Sequence, residues 1–492
     1  ANPSQTVSSY KGPLTPLRLA AEAGDEATLR LLLDRGANSK AMGGILPYLA
    51  AMNANDAECV GLTLRDVDPA AMKESGLFLV PPFGVPAALS NAQAVKRFFE
   101  VGADISVRDS AGRSLLMLAV NSNDVPIETV KTMIELGADV NATTKDGKTA
   151  LDFALQQGRT PIVELLEKAG AKAGRQEMPA VLKPKPARSA KKAVERSLPL
   201  LQRADVTFVR KSGCVSCHNN SLTSMTVSLA RAAGFSVDEQ AARNQRAEVG
   251  AYVEMWRERS LQGMGVPGDS NTVNYLLAGL AAENYPPDSA TDAMARYLKN
   301  DQMLDGRWRL IANRPPLESS EFEVAAVSMR AILAYMPKPL KADYGDSVRR
   351  AADWLRTAIP NSTSDRVGQI LGLAWAGDSP ESLREFATRL LAEQREDGGW
   401  SQLPTMASDA FATGQVLTAL HNSGVVVVTD VAYQRGVNFL LSTQLEDGSW
   451  HVRSRAIPFQ PYFEGGFPHG HDQWISAAAT NWATMALIPA AK

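Results

Sequence analysis

Apolar positions along this chain recur at helical spacing, and they do so in two different repeats. In the first third a short unit returns. Thr15-Pro16-Leu17, Ala20-Ala21, Gly24, Leu31-Leu32-Leu33 and Gly36-Ala37 read as a helix pair closed by a glycine. Glycine there suits a helix C-terminus that needs positive φ. Altered returns follow at Leu49-Ala50-Ala51, at Pro86-Ala87-Ala88 with Gly102-Ala103-Asp104, and at Leu116-Met117-Leu118-Ala119 with Gly137-Ala138-Asp139-Val140-Asn141. The last copy runs from Asp146-Gly147-Lys148-Thr149-Ala150-Leu151 to Gly170-Ala171, making about five units, the second much altered. From about 197 onward a longer unit takes over. Amphipathic helical stretches such as 383–394 and 433–444 each lead into a turn, and each turn into a helix rich in small and apolar residues. The turn is Gln-x-x-Asp-Gly-x-Trp, at 302–308, 394–400 and 444–450, and an unmarked fourth copy is expected near Trp354.

Both patterns carry a resemblance. The first resembles the ankyrin repeat, in which Thr-Pro-Leu opens the first helix of each pair and Gly-Ala ends the second. Such a unit cannot bury its apolar face alone, so copies must stack, and the stack offers a docking surface for proteins. The three Gln-x-x-Asp-Gly-x-Trp turns resemble those of the squalene cyclase and prenyltransferase superfamily, whose members form a toroid of inner and outer helices. That resemblance spans roughly 197–492. It implies six inner helices, beginning near Cys214, Ser270, Glu318, Ser364, Ser408 and Asp472, with about six outer ones. In that family the turn is structural, the Gln bracing a helix end and stacking on the Trp.

Between the repeats, Lys183-Pro184-Lys185-Pro186, Arg188 and Lys191-Lys192 lie in a stretch poor in large apolar side chains. It reads as a basic linker. The expected organisation is therefore all-α: an ankyrin-repeat domain over 1–173, a Pro/Lys-rich linker over 174–196, and an α/α toroid over 197–492.

Composition narrows the function. With 45 % hydrophobic and 21 % charged residues, the 492-residue chain has the makings of ordinary packed domains. A formal net charge of -2 gives no reason to expect a nucleic-acid partner, since phosphate recognition needs a basic surface. No run of 18 or more apolar residues appears, so no transmembrane helix is expected. Two of the three cysteines stand in Cys214-Val215-Ser216-Cys217-His218, and Cys59 has no thiol left to pair with.

Cys-x-x-Cys-His is the specific signal for covalent haem attachment. Two thiols at this spacing bond the two vinyl groups, and the adjacent imidazole of His218 reaches the iron. A zinc site would want four ligands, and no further cysteine lies in this part of the chain. A thioredoxin-like pair would want a strand before it, whereas a helical pattern follows it. Since attachment machinery works outside the cytoplasmic membrane, the motif predicts an exported, periplasmic protein, to which a start at Ala1 after removal of a signal peptide would correspond. The family's own chemistry lacks its residues. Cyclases need an Asp-x-Asp-Asp acid, and Met406-Ala407-Ser408-Asp409-Ala410 supplies only Asp409; prenyltransferases need Asp, Cys and His on zinc. Acidic residues at inner-helix starts, such as Asp365 and Asp409, are read as caps.

For the second axial ligand the expectation is His469, with His471 as fallback and Met264 as rival. In a closed six-member ring the last inner helix neighbours the first, which brings Phe467-Pro468-His469-Gly470-His471-Asp472 to the mouth that carries the haem motif. His421 and His451 are expected at the remote end. Arg453 and Arg455 are candidate partners of the haem propionates. The chain thus reads as a monohaem c-type cytochrome that passes single electrons between redox partner proteins docked on its ankyrin face, with peripheral membrane or complex association a further possibility. The alternatives are a haem enzyme acting on a small apolar ligand in the toroid cavity, and a haem-based sensor.

Overall fold

The computed structural model of the chain describes residues 2–6, 14–38, 56–65, 91–100, 104–123, 125–175, 182–216, 219–310, 314–458 and 462–491. They are mostly helical, with one short antiparallel pair, β1 (Trp400–Ser401) and β2 (Ser408–Asp409). The chain divides into two units. The first takes Ala1–Pro179 together with Leu310–Ser319 and Arg455–Gln460; the second takes the rest.

The first unit is built from α1 (Pro16–Ala23), α2 (Glu26–Asp34), α3 (Ala57–Leu64), α4 (Ala92–Glu100), α5 (Leu115–Val120), α6 (Ile127–Glu135), α7 (Ala150–Leu155) and α8 (Pro161–Lys168). Thr15 caps α1 by accepting the Arg18 N–H at 3.1 Å, and Pro16 takes the first helical position, where its missing N–H costs nothing. The Gly-Ala closings repeat atom for atom. Gly36, Gly137 and Gly170 each donate to the carbonyl three residues back, and the following alanine donates to the carbonyl five back. Much of the altered second copy falls on 39–55, outside the described residues. Leu29, Cys59, Val95, Met117, Val130, Val163 and others share one apolar core, which also takes in Ile457 from the late segment. Cys59 is a buried small side chain, its thiol pushed up to about 12 by burial.

The second unit alternates outer and inner helices: α9 (Ala190–Ser212), α10 (Asn219–Ala232), α11 (Glu239–Met255), the short α12 (Arg257–Leu261), α13 (Asp269–Ala282), α14 (Ser289–Asn300), α15 (Glu321–Tyr335), α16 (Lys341–Thr357), α17 (Thr363–Ala376), α18 (Pro380–Ala392), α19 (Ala410–Asn422), α20 (Val431–Thr443) and α21 (Gln473–Leu487). Among the described residues, α10, α13, α15, α17, α19 and α21 pack in that cyclic order, with α21 returning to α10. A helix with neighbours on every side must be apolar or small all round, and α13 and α21 are buried along nearly their whole length. Their polar residues pair across helices: Thr226 Oγ1 donates to Asn481 Oδ1 at 2.8 Å, and Ser364 Oγ to Gln415 Oε1 at 2.9 Å.

The three Gln-x-x-Asp-Gly-x-Trp turns share one geometry. Trp308, Trp400 and Trp450 donate their indole N–H to the carbonyls of Leu298, Leu390 and Leu440, in the last turns of the preceding outer helices. Gln302, Gln394 and Gln444 each donate to the glycine carbonyl of their own turn and to a carbonyl on another outer helix, Ser347, Ala432 and Ala193 respectively. The third turn thus ties α20 back to α9, 251 residues earlier. No such turn lies near Trp354, which sits inside α16 with its ring 4.7 Å from Phe322; Gln369 of α17 reaches the Leu355 carbonyl instead, at 2.5 Å.

The expected linker is largely structured. Residues 176–181 lie outside the described ones, but 182–188 run extended and 190–196 open the long helix α9. Alternate prolines leave N–H groups at Lys185 and Ala187, which point the same way from an extended chain. They donate to the Gln444 and Leu441 carbonyls at 2.8 and 2.9 Å, capping the end of α20.

Candidate functional site

Helix α9 ends on Gly213, in the left-handed region at φ 63°, and the next residue is Cys214, exposed and carrying a free thiol. Cys217 and His218 lie outside the described residues. Helix α10 starts at once, its first turn capped from within the motif: Ser216 Oγ accepts the Asn219 N–H at 3.1 Å. Asn220 ties this loop back to α9. Its Oδ1 accepts the Ser216 N–H at 2.5 Å, and its Nδ2 donates to Asp205 Oδ1. Burial pushes Asp205 up to about 8 against the opposing bonds from Asn220 and Gln245, so at neutral pH it is mostly a neutral acid, able to donate as well as accept. Asp205 and Asn220 were not singled out from the sequence. The available signal was a carboxylate on the apolar side of α9, beside Leu201 and Ala204.

The start of α21 stands at the same end of α9 as the motif. Phe208, one turn before the end of α9, has its ring 5.4 Å from Phe463, which is 5.5 Å from Trp474 in the first turn of α21. Phe467 packs on Leu200, Leu201 and Ala204 of the same helix. His469 follows, at φ 87° and half-buried, ahead of a single 3-10 turn over Gly470–Asp472. Its Nε2 lies 2.8 Å from Ser449 Oγ. Ser449 has one hydroxyl hydrogen and Asp447 Oδ1 takes it, at 2.6 Å, so the bond is donated by His469 Nε2–H and Nδ1 keeps its lone pair. Burial lowers the His469 pKa, with the neighbouring His451 adding to it, which holds the ring neutral as metal ligation requires.

His451, expected at the remote end, is at this one. Its ring is 5.1 Å from that of His469, and its Nε2 is 2.7 Å from Asp472 Oδ2. The reason is topological: an outer helix must end where the next inner helix begins, so the turn before His451 shares an end with the start of α21. Burial alone would raise Asp472, but His451 and the Ser454 N–H outweigh it and hold the carboxylate low. His471 is exposed, its ring 4.2 Å from Tyr462. His421 is at the far end of α19, 6.1 Å from the ring of Tyr433, and Met264 lies in the loop ahead of α13, its N–H on the Arg259 carbonyl.

The two candidate arginines part company. Arg453 is exposed in the second unit, where its charge helps lower Asp472. Arg455 belongs to the first unit and is 3 % exposed; its Nη1 donates to Asn123 Oδ1 at 2.7 Å and its N–H to the Pro315 carbonyl. A propionate partner would need a guanidinium with donors to spare at the motif, so Arg453 retains that possibility and Arg455 is committed elsewhere. Asp365 and Asp409 cap α17 and α19.

Among the described residues, no group of three or more His, Cys, Asp and Glu side chains is placed to hold a metal ion. No described helix is long and apolar enough to cross a membrane. Compared with known families, residues 86–177 match the model for ankyrin repeats (3 copies), and residues 14–42 match that for a single ankyrin repeat. No curated protein matches the chain. The first unit is therefore an array of ankyrin repeats, a module that implies protein partners.

Proposed function

We propose that the chain is an exported monohaem c-type cytochrome that transfers single electrons between proteins, docked through its ankyrin repeats, with an α/α toroid as the cradle. The observation that carries this is Cys-x-x-Cys-His set between two helices, with Cys214 exposed at a helix end and a neutral-held imidazole, His469, on the neighbouring loop. The residues fit the group. Cys214 and Cys217 would hold the haem covalently, and His218 and His469 would ligate its iron, with His471 as the substitute for His469. When bound, the haem supplies a one-electron couple. The chain's own part is positional: Gly213 ends α9 so that the first thiol faces solvent, and Asn220 ties Ser216 and the first turn of α10 to Asp205 of α9. The cyclic packing of six inner helices and the repeated Gln turns support the toroid reading.

The test is extraction with acidified acetone. Thioether bonds survive denaturation, so the haem should stay with the protein; a haem that moves into the organic layer would sink the proposal. The alternative, catalysis or sensing, has in its favour a cavity enclosed by the inner helices. It would be marked by an iron that binds carbon monoxide in the resting protein, because electron transfer is served by two side-chain ligands.

A further inference from the structure

The inner helices of the second unit enclose a cavity of about 150 Å³, with every one of the six contributing to its wall. A space of that size lined only by aliphatic side chains stays dry and takes a ligand such as benzene. Much of this wall is of that kind, including Leu222, Met225, Leu371 and Met485.

The polar remainder holds one carboxylate, Glu323, which accepts from the Tyr275 hydroxyl, and beside it several groups that find no partner among the described residues. Gln415 is 1 % exposed; its Oε1 accepts from Ser364, but its Nε2 has no acceptor among the described residues. Trp482 Nε1 is in the same position, and so is the Thr418 hydroxyl, one helical turn along from Gln415. On the facing helix α15, Arg330 lies with its Cζ 4.8 Å from the Trp375 ring centroid and forms no ion pair among the described residues. The ends of α13 and α19, at Ala282 and Asn422, line the same cavity, and the partial negative charge of helix C-termini helps keep a guanidinium charged there. Water could accept from the amide and the indole, but water carries no countercharge for Arg330.

We propose that this cavity binds a small amphipathic monoanion, a monocarboxylate with a compact apolar body. The carboxylate pairs with Arg330, whose planar fork matches two oxygens, and the body lies against the aliphatic wall. Gln415 Nε2 and Trp482 Nε1 offer donors to a further acceptor on the ligand, a carbonyl or hydroxyl. Selection between ligands follows from the unmatched charge: an alcohol of the same shape leaves Arg330 unpaired, and an ammonium meets a like charge. The site does not depend on the haem, and its failure would leave the cytochrome reading untouched.

The test is titration calorimetry on the full chain as purified, with phenylacetate, 2-phenylethanol and phenethylammonium as probes. Phenylacetate should bind saturably, 2-phenylethanol about tenfold more weakly or worse, and phenethylammonium not at all. Arg330→Leu should remove that preference, lowering phenylacetate affinity by about tenfold or more while leaving the alcohol unchanged, and Arg330→Lys should keep part of it. Equal binding of acid and alcohol by the native chain would reduce the cavity to an apolar void and overturn the proposal, as would no binding of any probe. Should Arg330→Leu fail to fold, the native probe series and Arg330→Lys still decide.

Discussion

Asp205 shows how much a single side chain can add that its sequence position does not announce. It is buried, pushed up to about 8, and bonded to Asn220, which also accepts the Ser216 N–H. Unfolded, the same carboxyl titrates near ~3.9. The native state therefore holds a proton that the unfolded state has released between those values. Stability from this group is complete below about 4 and is lost as pH rises towards about 8. Asp205→Asn keeps the shape and the acceptor for Asn220 but cannot ionise. It should flatten that slope and exceed the native chain by more than about 1 kcal/mol at pH 8.5, read from urea denaturation at pH 5 and pH 8.5. Parallel slopes for the two proteins would mean that Asp205 is ionised when folded. His469 is the second residue with a sharp consequence. His469→Ala should turn a six-coordinate low-spin haem spectrum into a high-spin one that reacts with carbon monoxide; an unchanged spectrum moves the assignment to His471. The Cys-x-x-Cys-His pattern, on which the haem proposal rests, lies in five adjacent residues and needs no fold to be read. Asn220 and Asp205 were not legible, since their role depends on which face of α9 meets α10. His451 was misplaced because its position follows from the end at which helices exchange, which spacing alone does not state.

At the scale of elements, the Gln-x-x-Asp-Gly-x-Trp turn explains its own composition. Its glycine has positive φ in all three copies, and a Cβ on Gly398 or Gly448 would stand 2.6 or 2.5 Å from a carbonyl oxygen of another outer helix, Arg435 or Arg196. Gly377 offers a control: its φ is 99°, yet nothing lies within 4 Å of a Cβ there. Both substitutions by alanine pay the left-handed penalty of about 1–2 kcal/mol. Only Gly448→Ala also forces α9 away from the turn, which adds about 1–3 kcal/mol. Thermal denaturation should therefore separate the pair, with Gly448→Ala melting several degrees lower; equal melting points would show that α9 gives way without cost. These turns were legible because the residues that make them recur at one fixed spacing, although the carbonyls they reach lie on other helices. The stretch 182–196 was not, because composition displays prolines and lysines but not the open carbonyls at Leu441 and Gln444 that its N–H groups find.

At the scale of the whole chain, the sequence order of the repeats conceals how the units are composed. A reading by repeats puts everything after 197 in one domain, yet Leu310–Ser319 and Arg455–Gln460 belong with the ankyrin array. The physical reason is visible in the later segment. Ile457 is 6 % exposed and part of the ankyrin core, Arg113 Nη1 donates to the Pro458 carbonyl at 3.1 Å, and Arg455 bonds Asn123. An array of repeats is stabilised by what covers its apolar surface, and each repeat contacts only its neighbours, so a loss there is felt locally. Ile457→Ala removes buried methyl groups from that core and should cost the ankyrin unit about 2–4 kcal/mol, while Ile457→Val costs about 1. The readout is hydrogen exchange by mass spectrometry. Peptides covering α5 to α8 should exchange faster in Ile457→Ala, those covering α13 to α21 should not, and Ile457→Val should fall between it and the native chain. If instead the acceleration appears in α13 to α21 and spares α5 to α8, the segment is part of the helical ring, and the domain boundary read from the repeats alone was the correct one.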